Sequence, residues 1–126
     1  MKTQVKGKNK SILILDDEHS IREALIAAFD VIEGYSLHSS SSYAKLEKKK
    51  IYSSDIILLD MRLGGKDGKE VAHKLKSSQR TKNIPLIMMS GYPGAKEQCL
   101  NAGADDFLDK PFSIGDLLNT LKKHLG

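Results

Sequence analysis

Short unbroken aliphatic runs alternate along this chain with stretches whose apolar residues recur at helical spacing. "ILIL" (12–15) is followed by Ile21, Ala24, Leu25, Ala28 and Ile32, which fall on one helix face. "YSLHS" (35–39) reads as a weak strand. "YAKLEKKKI" (43–51) reads as a short helix whose lysine run is most simply a solvated face. "IILL" (56–59) precedes Val71, Ala72 and Leu75. "IPLIMM" (84–89) opens with a proline, which the start of a strand tolerates, and precedes Ala95, Cys99 and Ala102, a stripe closed by Gly103. "DFLD" (106–109) is a brief strand. Ile114, Leu117, Leu118, Leu121 and Leu125 then form the clearest helical stripe, and Ser113 with Asp116 makes a capping box at its start.

Five β/α units in alternation predict a parallel sheet with helices on both faces. Strands buried on both sides explain aliphatic runs without polar relief. Right-handed crossovers bring the C-terminal ends of all the strands to one edge, where such folds bind their ligands.

The residues that close the strands are therefore expected to meet. The first run ends in Asp16, Asp17 and Glu18, the third in Asp60, the fourth in Ser90 and Gly91, and the fifth in Asp109, Lys110 and Pro111. Singly, each has an ordinary explanation. Asp16 and Asp17 can cap a helix and complement its dipole. Asp60 can be a turn residue before Gly64 and Gly65, Ser90-Gly91 a plain loop, and Lys110 a solvated cation. Their joint placement at four strand ends points instead to chemistry. Crowded carboxylates share their ionisation at a cost unless a cation is present. Mg²⁺ takes such oxygen ligands. An aspartate can act as a nucleophile toward phosphorus, and phosphoryl transfer then needs mainly charge neutralisation.

"LILDDE", "IILLDMRLGGKDG", "IPLIMMSGY" and "GADDFLDKPF" together resemble the response-regulator receiver domain of two-component signalling, over roughly residues 11 to 125. The resemblance implies a flavodoxin-like, doubly wound five-stranded parallel sheet of order 2-1-3-4-5 with five helices. It implies Asp60 as phosphoacceptor and a Mg²⁺ site of Asp16, Asp17, Asp60 and the Arg62 backbone carbonyl, with Asp17 the direct ligand of the acidic pair. Lys110 matches the phosphate-contacting lysine, Ser90 the conformational hydroxyl and Phe107 the switch aromatic. Lys110–Pro111 matches a cis peptide. The implied partners are a sensor histidine kinase or a histidine phosphotransfer protein. Downstream, a protein or a second copy of the chain would bind the face of helix 4, strand 5 and helix 5. The domain would act in the cytoplasm as a signalling module that promotes its own phosphorylation and dephosphorylation.

Three features depart from the family pattern. Gly64 and Lys66 stand where Pro and Met are common, which should loosen the loop beside Asp60. The stretch from Ser90 to Lys110 is slightly short, which implies a short or reshaped fourth helix. Arg62 and Tyr92 occupy variable positions that influence phosphoryl lifetime in the family, and their bulk implies a partly shielded site.

Composition narrows the alternatives. The 126 residues are 40 % hydrophobic and 29 % charged, as in an ordinary globular domain. The single cysteine, Cys99, forms no internal disulfide, fits a reducing compartment, and on its stripe reads as a small buried apolar group. No apolar run approaches a membrane span. The N-terminus has too few aliphatics for a signal peptide. The net charge of +4 resides in the first ten residues, which carry Lys2, Lys6, Lys8 and Lys10 and no acid, so the rest is formally neutral. Residues 1–10 read as a basic, disordered tail, either solubilising or anion-contacting, and residues 11–126 as the receiver domain. Direct nucleic-acid binding is not expected of this chain.

"GGKDGKE" lacks the P-loop spacing, and no dinucleotide fingerprint follows the first strand. A Mg²⁺-dependent phosphohydrolase of related topology would carry its nucleophile on the first strand and a substrate cap. A pseudo-receiver that binds partners without phosphorylation would not need the complete set of Asp16, Asp17, Asp60, Ser90 and Lys110. The histidines His19, His38, His73 and His124 have no metal-ligand spacing, and His19 beside the acidic pair is most simply a surface residue at a helix start. The sequence is compatible with a stand-alone receiver and with one belonging to a longer regulator.

Overall fold

The computed structural model describes residues 9–126. Seven strands and five helices follow one another as β1 (Lys10–Leu15), α1 (His19–Val31), β2 (Tyr35–Ser40), α2 (Lys48–Tyr52), β3 (Ile56–Asp60), β4 (Arg62–Leu63), β5 (Lys66–Asp67), α3 (Gly68–Ser77), β6 (Leu86–Ser90), α4 (Ala95–Asn101), β7 (Asp106–Asp109) and α5 (Ile114–Leu125). Five strands pair in parallel in the order β2-β1-β3-β6-β7. Counted within that sheet alone, the order is 2-1-3-4-5. This is the doubly wound arrangement expected from the alternation.

Successive side chains of a strand point to opposite faces, and here the alternation divides the interior into two cores. Leu13, Leu15, Ile57, Leu59, Leu86 and Met88 pack with Ile51 of α2, Val71, Ala72 and Leu75 of α3, and Cys99 of α4. Ile12, Ile14, Ile56, Leu58, Ile87 and Met89 pack on the other face with Leu25 and Phe29 of α1 and Leu117 and Leu121 of α5. Every residue of β3 and β6 is buried. Cys99 is buried within the first core, as its stripe implied.

Several boundaries differ from the sequence reading. β1 begins at Lys10, inside the stretch assigned to the basic tail, and Asn9 before it is exposed and outside any element; residues 1–8 of that assignment lie outside the described residues. The helix expected over 43–51 is confined to Lys48–Tyr52. Serine side chains compete for the preceding backbone: the Ser40 hydroxyl donates to the Ser42 carbonyl at 2.9 Å, and Ser42 Oγ accepts from the Lys45 N–H at 3.3 Å. α4 is short, with seven residues, as the shortened 90–110 stretch implied. Gly94 precedes it at φ 79° and Gly103 follows it at φ 112°.

The glycine-rich segment expected to be a loosened loop is a hairpin. Arg62 pairs with Asp67 and Leu63 with Lys66 in antiparallel register. The two residues between them, Gly64 and Gly65, have φ of 55° and 82°. Two positive φ values in a two-residue connection suit the turn whose twist matches its strands. Asp67 then caps α3, accepting the Lys69 N–H at 2.9 Å. At the other end of the chain the capping box of α5 is formed: Ser113 Oγ accepts the Asp116 N–H at 3.0 Å, and Asp116 accepts the Ser113 N–H at 3.3 Å.

Gly68 joins the fold to the site. Its N–H donates to the Met61 carbonyl at 2.7 Å. A Cβ there would lie 2.3 Å from the Asp60 carbonyl oxygen and 2.8 Å from that of Met61. Gly68→Ala should therefore cost about 2–3 kcal/mol as overpacking against rigid backbone. Gly65→Ala, with open space around it but φ positive, should cost only about 1 kcal/mol. Urea unfolding of both variants checks the ranking, and equal losses would contradict the close approach of Gly68 to β3.

Candidate functional site

The strand ends deliver their polar residues to one rim. Asp16 follows β1 and is fully buried, Asp60 ends β3 with 6 % exposure, and Asp17 is exposed. One carboxylate oxygen from each lies within 4.8 Å of the other two. Lys110, beyond β7, reaches into this group. Its Nζ is 2.7 Å from Asp16 Oδ2, 3.0 Å from Glu18 Oε1 and 3.3 Å from Asp60 Oδ2. The Lys110–Pro111 peptide is cis, and the Lys110 N–H donates to the Ser90 carbonyl at 2.9 Å.

Backbone donors hold each carboxylate in place. Asp16 Oδ1 accepts the Glu18 N–H at 2.9 Å, Asp60 Oδ1 the Arg62 N–H at 3.3 Å, and Asp17 Oδ2 the Gly64 N–H at 3.1 Å. The last bond ties the hairpin turn to the acidic pair. Arg22 of α1 donates to the Asp16 carbonyl at 2.8 Å. Ser90 is buried at the end of β6, and its Oγ accepts the Tyr92 N–H at 3.0 Å. A cleft of about 400 Å³ opens between Asp60, Ser90, Gly91 and Lys110 on one side and Arg62 with Tyr92 on the other. Within that lining the Arg62 guanidinium sits 4.7 Å from the Tyr92 ring centroid.

The electrostatics are unbalanced. Burial, and next the nearby Asp16 carboxylate, push the Asp60 pKa up to about 6, against the opposing pull of Lys110 and the Arg62 N–H. Burial disfavours the Lys110 ammonium, but its bonds to Asp16 and Glu18 outweigh that and hold its pKa above the ordinary value. One ammonium thus serves three carboxylates and leaves Asp60 short of positive charge.

The structure brings together Asp16, Asp17, Asp60, Ser90 and Lys110, as the topology required. Arg62 lies beside them on β4. Phe107 stands apart on β7, partly buried against the α2–α3–α4 core. His19 is exposed with Nδ1 3.5 Å from Arg22 Nη2, and among the described residues the carboxylate cluster contains no histidine. Two contributors have no role assigned from sequence, although Glu18 is named among the strand-end residues. Glu18 closes the first run with the aspartates, but only the fold shows it reaching Lys110. Arg22 carries no signal beyond its place early in α1.

Residues 12–122 match the family model described as the response regulator receiver domain. The chain belongs to the response-regulator receiver family. Over 119 residues it is 40 % identical to the phosphate regulon transcriptional regulatory protein PhoB of Pseudomonas aeruginosa, covering 90 % of this chain and 50 % of that protein. The receiver thus spans about half the length of the first curated relatives it matches. It is also 32 % identical to sporulation initiation phosphotransferase F of Bacillus subtilis, covering 93 % of this chain and 94 % of that one. Among solved structures, the receiver domain of the sensor histidine kinase PA1611 from Pseudomonas aeruginosa PAO1 has a magnesium ion coordinated in its active-site cleft. It superposes with a TM-score of 0.76 at 25 % identity, over 94 % of this chain and 99 % of that one. Among the described residues no helix is long and apolar enough to cross a membrane.

The receiver's raised Asp60 pKa has a signed consequence. A carboxylate whose folded pKa exceeds its unfolded value binds its proton more tightly when native. Native stability therefore falls as pH rises from the ordinary 3.8 toward about 6, and the deficit is complete above that. Asp60→Asn, which never ionises, should match wild type near about pH 4 and exceed it by about 2–3 kcal/mol at neutral pH. Urea titrations in metal-free buffer across this range check the claim; a stability difference independent of pH would refute it.

Proposed function

We propose that Asp60 accepts a phosphoryl group from a histidine kinase or phosphotransfer protein and that the receiver answers by changing a docking surface. The observation that carries this reading is the placement of Asp60 within a cluster of three carboxylates and 3.3 Å from the Lys110 ammonium. An Asp60 carboxylate oxygen attacks the phosphorus of a donor phosphohistidine. The P–N bond breaks, and its electron pair leaves with the imidazole, which gains a proton from solvent. The product is an acyl phosphate on Asp60, which water later hydrolyses.

Each neighbour has a task. Lys110 already reaches Asp60 and can bond an incoming phosphoryl oxygen without backbone movement. Ser90 Oγ accepts from the Tyr92 N–H, so its own proton is available to a second oxygen. Gly91, without a side chain, keeps the rim low beside Ser90, although a Cβ there would meet the Lys110 carbonyl at an ordinary 3.5 Å. Arg62 and Tyr92 stack on each other in the lining of the cleft that leads to Asp60.

The donor set suits Mg²⁺: three carboxylates, excess negative charge and no soft ligand. Asp16, Asp17, Asp60 and the Arg62 carbonyl would hold it, and when bound it would neutralise charge on the transferred phosphoryl oxygens. The magnesium in the cleft of the PA1611 receiver supports this assignment. The module acts as a switch rather than as an enzyme upon a separate substrate, and its partners would meet it in the cytoplasm.

The response runs through Ser90 and Phe107. A phosphoryl group that draws the Ser90 hydroxyl toward Asp60 vacates space into which Phe107 can turn. Inverting such an equilibrium from 1:99 takes about 5.5 kcal/mol. Charge-assisted bonds to Ser90 and Lys110, at about 1.5–3 kcal/mol each, supply much of it. The face of α4, β7 and α5 reads the change. Leu100 on α4 and Ile114 on α5 are exposed there, as an apolar docking surface requires. The bound object is a second copy or an output partner.

Incubation with a small-molecule phosphodonor should raise the intact mass by one phosphoryl unit when Mg²⁺ is present and not in chelator. Labelling of Asp60→Asn equal to wild type would sink the assignment. Mg²⁺ alone should raise the melting temperature, with a gain of about 2.7 kcal/mol at a hundredfold excess over its dissociation constant. Asp17→Asn should blunt that rise, and an unchanged rise would move the metal elsewhere.

A further inference from the structure

Formal neutrality beyond residue 10 conceals a separation of charge that only the fold creates. Acids gather at the C-terminal edge of the sheet, around Asp60. At the opposite edge, on the α2–α3 side, cations gather. Lys48, Lys49 and Lys50 lie on α2, and Arg80 and Lys82 lie in the connection that enters β6. All five are exposed, and none forms an ion pair among the described residues. The two segments are one surface, because the Arg80 guanidinium packs 4.1 Å from the ring centroid of Tyr52 at the end of α2. Lys50 and His38 flank a small cleft between α2 and the first strands. Lys10 enters β1 at the same edge, level with Tyr35, and Lys2, Lys6 and Lys8 immediately precede it in sequence.

The nearby acids do not neutralise this surface. Asp55 is exposed and, among the described residues, accepts only the neutral Ser11 N–H at 2.7 Å, so it keeps its charge at this edge. Asp105 is held by Lys76 at 2.8 Å and accepts the Leu86 N–H. Asp106 is held by Lys123 and His124. Asp55 and Glu47 remain against the five cations, and Glu33, next to the Gly34 carbonyl that accepts the Lys10 N–H, stands near Lys10, so the edge keeps a net positive excess.

We propose that this basic edge binds the phosphodiester backbone of nucleic acid, independently of phosphorylation at Asp60. Apolar content decides among polyanions. The exposed large hydrophobic residues are Ile26, Val31, Tyr92, Leu100 and Ile114, and none belongs to α2 or to the 78–84 connection. The edge therefore lacks the apolar face by which a helix settles into lipid. It offers ammonium and guanidinium groups, with Tyr52 beneath Arg80, which is the footprint of a phosphate-tracking surface. Such contacts position without reading sequence.

The test is fluorescence anisotropy of a labelled DNA duplex of arbitrary sequence, with the full chain at low salt. Binding should be weak and sequence-independent, and log affinity should fall against log salt with a slope of about −4 for four to five neutralised phosphates. Lys48→Glu/Lys49→Glu/Arg80→Glu should abolish it, and Lys48→Gln/Lys49→Gln should shallow the slope by about 2. These positions are exposed, and a melting curve matching wild type shows that the variants fold. Asp60→Asn should bind as wild type, which separates this proposal from the phosphoacceptor reading. Three results would overturn it: no binding at low salt, binding lost in Lys2→Gln/Lys6→Gln/Lys8→Gln but kept in the charge-reversed variant, or capture by phosphatidylserine vesicles in preference to the duplex.

Discussion

The Lys110 ammonium, shared among Asp16, Glu18 and Asp60, is the contact around which this receiver is organised. It joins residues nearly a hundred positions apart and closes the rim between the first, third and last strands of the sheet. It is also insufficient. One positive charge cannot satisfy the carboxylates gathered about it, and Asp60, the most desolvated carboxylate with a free approach, carries the shortfall as a raised pKa. A site in that condition gains from any further positive charge. The same imbalance that costs stability leaves Asp60 receptive to a cation.

The geometry needed to hold that contact was largely legible in sequence. Aliphatic runs closed by polar residues fixed the strands, their alternation with helical stripes fixed the parallel order, and the order placed Asp16, Asp17, Asp60, Ser90 and Lys110 on one edge. What stayed hidden depended on local competition. The lysine-rich stretch before Lys48 has helical spacing, but the hydroxyls of Ser40 and Ser42 take its backbone partners first. Gly64 and Gly65 look like looseness in a linear string. Their two positive φ values make a hairpin whose turn N–H then grips Asp17. Arg22 and Glu18 acquire their contacts only when α1 folds back beside the rim.

Charge was legible as a sum and not as a field. Equal numbers of acids and bases beyond the first ten residues suggest an indifferent surface. The parallel sheet sorts them, because residues after each strand gather at one edge and residues before each strand at the other. Loops at the two edges have different obligations, one toward chemistry and one free of it, and a neutral chain becomes a polar body.

The two cores on either side of the sheet are built differently. Met89 packs toward α1 and α5, so Ser90, the next residue, faces the other layer, as does Phe107. That layer is filled in part by Ala72, Cys99 and Ala104 and is covered by α3 and the short helices α2 and α4. The opposite layer is built on Phe29, Leu117 and Leu121 under the two longest helices. In the switch we propose, a pull at the rim therefore enters the α2–α3–α4 layer first, because Ser90 and Phe107 both face it.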